Sequence, residues 1–179
     1  ALSVYGFVDE TALWRSWLIR AVAGDPEDLQ IMYGVGGERD LVESELDHLP
    51  GYANSRPVRI GNAASTQQQH DVWGALLDSV YLHSRAADHL DSRIWPILGN
   101  QVNAALKNWR DPDAGIWEIR GPQRDFVSSR AMIWAAFDCA VRAVTEFGLD
   151  GPLELWIRLR DEVRSEIESR GFDHSRNTY

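Results

Sequence analysis

Five stretches of the chain space their apolar side chains at the helical period, and little in it alternates as a strand would. In the first, Leu13, Trp17 and Ala21 form one row and Trp14, Leu18 and Val22 the next, from about Asp9 until Gly24 stops the helix. A second helix is expected to start near Asn62 or Ala63 and to carry Val72, Leu76 and Val80 beside Trp73, Leu77 and Tyr81. A third starts around Pro96 and runs through Val102, Leu106 and Trp109 until Asp111-Pro112-Asp113 breaks it. Ser128 and Ser129 are capping candidates for a fourth, which carries Ile133, Phe137, Ala140, Val141 and Val144 and closes at Gly148. The fifth follows Gly151-Pro152, contains Trp156, Leu159, Val163 and Ile167, and ends at Gly171. Its Glu and Arg residues from Glu154 to Arg170 read as a wet outer face.

The expectation is therefore all-α. Amphipathic helices arriving in succession suit a layered or toroidal array of helical hairpins better than a minimal four-helix bundle. No strict internal repeat accompanies them, which disfavours a tetratricopeptide-like solenoid. At 179 residues and 44% apolar content, the chain fits one domain spanning 1–179.

Charge and cysteine usage exclude several function classes. A net charge of -9 argues against a nucleic-acid partner, because phosphate binding needs clustered Lys and Arg. No apolar run approaches the roughly 20 residues that span a bilayer, so no membrane partner is expected. Cys139 is the only cysteine, which rules out an internal disulfide and favours a cytoplasmic home; in its apolar helix it reads as inert packing. His48, His70, His83, His89 and His174 lack metal-ligand spacing, so no metal and no cofactor are expected.

Between Ile31 and Asn62 the periodicity disappears into a segment rich in glycine, charge and aromatic rings, and a loop this long inside a compact domain is usually functional. A second irregular stretch, Asp113 to Gly121, sets a carboxylate beside an indole as Ile116-Trp117-Glu118. A glycosidic oxygen leaves poorly until protonated, so an enzyme that cuts sugars keeps one carboxyl group protonated among apolar neighbours. Glu118 fits that acid, with Trp117 as an apolar wall and stacking surface. The bland reading of the same residues is a loop aromatic pinning a turn to the core.

Several segments together resemble glycoside hydrolase family 15, the glucoamylases, dextran-cleaving glucosidases and bacterial trehalases. They are Gly6-Phe7 with Trp17-Leu18, Gln30 to Gly34 with Glu38-Arg39, Glu45-Leu46 with Gly51-Tyr52, Pro57 to Asn62 with Gln69 and Asp71, and Gly115 to Glu118, in the family's order. The resemblance implies an (α/α)6 barrel with the sugar pocket at one end and inversion at the anomeric carbon; about five main helices plus long loops make this chain an incomplete barrel of that toroid type. It also implies an oligosaccharide or disaccharide substrate. Glu118 matches the family's general acid and Trp117 an aromatic of the same pocket. Arg56, Arg59 and Asn62 fall in the loop that shapes the sugar site, although ordinary loop pinning explains them equally well. Arg120 would bring charge near the acid, and a cation so close favours the ionised carboxylate. Two positions depart from the family pattern: Asp125 stands where many relatives have histidine, and Ala75 where many have glutamate.

Relatives carry an Arg-Asp sugar-gripping pair ahead of the region matching Ala1-Leu2, and their general base beyond the region matching Tyr179. The resemblance thus covers the middle of the family's domain, and the isolated chain is expected to be inactive. A second reading stays open: a non-enzymatic helical scaffold or sugar-binding remnant, a homo-oligomer formed through exposed helix faces.

Overall fold

The computed structural model describes residues 5–22, 29–87 and 89–179. Its helices are α1 (Val8–Val22), α2 (Asp71–Ala86), α3 (Trp95–Asn108), α4 (Val127–Phe147) and α5 (Leu153–Arg170). A two-stranded antiparallel ladder pairs β1 (Ser44–Glu45) with β2 (Arg59–Ile60) in the long loop, Ser44 opposite Ile60 and Glu45 opposite Arg59. The fold is all-α, as the periodicity predicts, and fits the incomplete toroid-type arrangement that the family resemblance implies. The expected stop at Gly24 lies outside the described residues.

Helix α4 is the spine. Ile133, Ala136, Phe137 and Ala140 are fully buried at helical spacing, and Gly148 ends the helix in the left-handed conformation at φ 66. The helix packs against α2 and α5, while α3 bridges α2 and α4. Contact with α2 is close enough to need a glycine: a Cβ at Gly74 would meet the Met132 carbonyl oxygen at 2.0 Å. On α5 only Trp156, Leu159 and Val163 are buried, and ion pairs such as Arg164 with Glu168 line its outer side. The charged run is therefore a solvated face, as expected. By contrast, Phe7, Val8, Leu13 and Trp14 at α1 are exposed.

Long and short connections alternate. Residues 29–70 lead into α2 and 109–126 into α4, whereas α2–α3 and α4–α5 are joined by short turns. The two long connections meet at the N-terminal ends of α2 and α4, which places the irregular segments side by side.

Two helix starts differ from the sequence expectation. A 3-10 turn spans Ala63–Thr66, and α2 begins only at Asp71. Asn62 caps the 3-10 turn through its Oδ1, Gln67 is extended, and the Gln68 carbonyl accepts from Ala114 N–H at 2.9 Å, so residues 67–70 serve the neighbouring turn. At α4 the capping position belongs to Phe126, without a side-chain cap. Ser129 lies inside the first turn and turns its hydroxyl to Asp113, and Ser128 makes no cap.

Candidate active site

The turn carrying Glu118 stands on a buried carboxylate. Asp113 is 1% exposed, and its Oδ2 accepts from the His70 backbone N–H and the Ser129 hydroxyl, both at 2.7 Å. Its own backbone pairs reciprocally with Arg124 at 3.0 and 2.9 Å. A charge taken out of water is costly unless hydrogen bonds replace its hydration. Here those bonds join the N-terminal ends of α2 and α4 to the turn. Gly115 lies against Phe126 at φ 68, where a Cβ would come within 2.7 Å of the ring. Arg130, also buried, holds the other end by donating to Asp125 at 2.7 Å and to the Asp111 carbonyl at 3.3 Å.

The tip is different. Trp117 is 82% exposed, so among the described residues this indole does not bury the neighbouring carboxyl as the sequence reading expects. Glu118 is exposed and adopts φ 51, a left-handed backbone uncommon outside glycine. Its N–H reaches the Gly115 carbonyl at 3.3 Å, and the Gln67 side chain donates to the Ile119 carbonyl at 3.3 Å. Across the gap, Asn62 Nδ2 donates to Glu118 Oε2 at 3.5 Å while Asn62 Oδ1 caps the 3-10 turn at 2.9 Å. Asn62 is thus both the cap of a short 3-10 turn and a neighbour of the candidate acid.

The arginines converge on a residue that the sequence did not single out. Glu43 takes both Nη atoms of Arg120, at 2.8 and 3.3 Å, and lies 3.5 Å from Arg59 Nε and 3.4 Å from the Ala63 N–H. The Arg120 hydrogen bond foremost, then the Ala63 N–H, holds this carboxyl below its ordinary range. Arg59 also pairs with Glu45 at 3.0 Å. Arg56 and Arg59 together line a groove of about 410 Å³ with Glu45 and Asp47. Nothing in the sequence marks Glu43, because exposed arginines such as Arg59 and Arg120 are satisfied by water and need no carboxylate.

Behind the turn, His70 stacks on Trp73 with centroids 4.9 Å apart. Burial pushes its imidazole below the ordinary range, opposed by the Asp113 charge, with Arg130 adding to the depression and Asp111 opposing it. Gln69 is buried beside it, and burial raises the half-buried Asp71 carboxyl. Cys139 is buried and free, and burial pushes its thiol up to about 12, which makes it unreactive. Among the described residues no group of three His, Cys, Asp or Glu could hold a metal ion, and no helix is long and apolar enough to cross a membrane. Five of the eight tryptophans, Trp73, Trp95, Trp109, Trp134 and Trp156, form or flank the core, so tryptophan richness is mainly a packing property here.

The profile of glycosyl hydrolases family 15 matches residues 1–179. A trehalase of Mycolicibacterium smegmatis is 49% identical over 150 residues, 84% of this chain and 22% of that protein. A trehalase of Mycobacterium tuberculosis is 48% identical over 145 residues, 81% of this chain and 21% of that protein. One from Thermoplasma acidophilum is 31% identical over 179 residues, all of this chain and 30% of that protein. The chain spans less than a third of the length of each of these curated relatives. No solved structure matches it. With a profile match from end to end and three relatives sharing 31% to 49% of aligned residues, the chain belongs to glycosyl hydrolases family 15.

Proposed function

We propose that the protein carrying this chain hydrolyses α,α-trehalose with inversion at one anomeric carbon, and that Glu118 is its general acid. The supporting observation is the division of labour between two carboxylates at one end of the helices. Glu43 is gripped by two arginines and held ionised, which disqualifies it as a proton donor. Glu118 stands at the open tip with the neutral Asn62 amide against it. The trehalase relatives supply the substrate class.

In this reading Glu118 protonates the bridging oxygen as the bond to the anomeric carbon breaks, and the departing sugar leaves as α-glucose. Water attacks the opposite face, its proton going to a base that stands roughly 6.5 to 9.5 Å from the acid in inverting enzymes, and yields β-glucose. Trp117 offers an uncovered aromatic face to a sugar ring, and the Arg56–Arg59 groove offers donors to hydroxyl groups. A cytoplasmic setting fits the single buried thiol.

The test uses the complete gene product with trehalose, following the first-formed anomers by NMR. Equal α- and β-glucose is expected, and Glu118→Gln should reduce turnover by about 10²- to 10⁴-fold with an unchanged helical spectrum. Wild-type turnover in that variant would remove Glu118 from the mechanism, and two α anomers would remove inversion.

A further inference from the structure

We propose that Glu43 is a positioning residue for this reaction: by gripping Arg120 with both carboxylate oxygens it keeps that guanidinium off Glu118, so that Glu118 can hold the proton it delivers. The inference rests on the reading of Glu118 as the acid. Arg120 is two residues beyond Glu118 in the same exposed turn. Left alone, a cation that close along the chain can pair with the neighbouring carboxylate and favours its ionised form. Glu43 intercepts it from the other long loop, with Arg120 Nη2 at 2.8 Å and Nη1 at 3.3 Å.

Glu43 is itself fixed from a second side, because the Ala63 N–H lies 3.4 Å from its Oε2. Ala63 follows Asn62, whose side chain touches Glu118. Arg120 of the acid's own turn is thus bound to Glu43 of the loop, Glu43 also meets Arg59, and the side chain that touches the acid, Asn62, is neutral. Arg59 keeps Glu45 at 3.0 Å if Glu43 is lost, so Arg120 is the cation that such a loss would release. Losing the Glu43 charge and freeing Arg120 act in the same direction.

The test is the pH profile of kcat/KM for trehalose in the complete gene product. Its alkaline limb reports the acid's protonated form. In Glu43→Gln the limb should move down by about 0.5 to 1 pH unit, less in high salt. Glu43→Asp, which keeps the charge but shortens the reach, should move it less and remains informative if the first variant folds poorly. Adding Arg120→Gln to Glu43→Gln should bring the limb most of the way back, whatever its effect on amplitude. A loop tie without electrostatic effect would lower kcat with the limb in place and gain nothing from the second substitution; either result overturns the proposal. Glu118→Gln separates the two claims. If it is inactive and the limb stays fixed in Glu43→Gln, Glu43 falls alone; if it is fully active, the acid assignment falls first.

Discussion

Trp109 and Trp117 sit eight residues apart on the same connection and have opposite fates, one 1% exposed at its base and the other 82% exposed at its tip. The base is anchored at two buried residues: Trp109 ends α3 in the core, and Asp113 exchanges its hydration for His70 and Ser129. The tip carries Glu118 and Arg120, open and tied by side chains from the other loop. The contrast teaches that the stability of this segment is concentrated in its foot, which leaves the tip free to present polar groups to a ligand.

Substitutions at the two ends should break that contrast or sharpen it. The largest effect on stability is expected for Trp109→Ala, about 3–5 kcal/mol by urea denaturation of the chain, because a buried indole leaves a cavity. Asp113→Ala should follow at about 2–3 kcal/mol, since the His70 N–H and the Ser129 hydroxyl lose their acceptor. It should also lower kcat in the complete gene product by loosening the turn. A smaller effect is expected from pH. The folded His70 imidazole is depressed by burial, so its contribution is intact above the ordinary value near 6.5 and is lost as pH falls through the folded value. The unfolded chain binds that proton first, so His70→Gln should flatten the acid side of a stability–pH curve. Smallest for stability is Trp117→Ala, within about 0.5 kcal/mol of wild type, while KM for trehalose rises about three- to tenfold. A large destabilisation there would mean that the tip is structural after all.

The helices were legible because burial writes a 3.6-residue period into sequence, and local stops such as Gly148 and Gly171 act within a few residues of their effect. Glu118 stood out as part of a compact run, and the structure places it in an exposed turn. What the sequence concealed depends on partners distant along the chain. Asn62 looked like the start of a long helix, but Gln67 to His70 are drawn to Ala114 and Asp113 across more than forty positions. Ser129 looked like a cap and serves the same aspartate. The β1–β2 ladder is two residues long and exposed on both strands, so it leaves no alternation to read. Glu43 is one acid among several in its loop, and only the return of Arg120 from 77 residues away distinguishes it.

The most direct measurement compares two substrates in Glu118→Gln of the complete gene product. Trehalose needs its leaving oxygen protonated, whereas α-glucosyl fluoride departs as fluoride with little help from an acid. If Glu118 is the proton donor, the variant loses about 10²-fold or more on trehalose and keeps most of its rate on the fluoride. Equal losses on both substrates, or none on trehalose, would contradict the account.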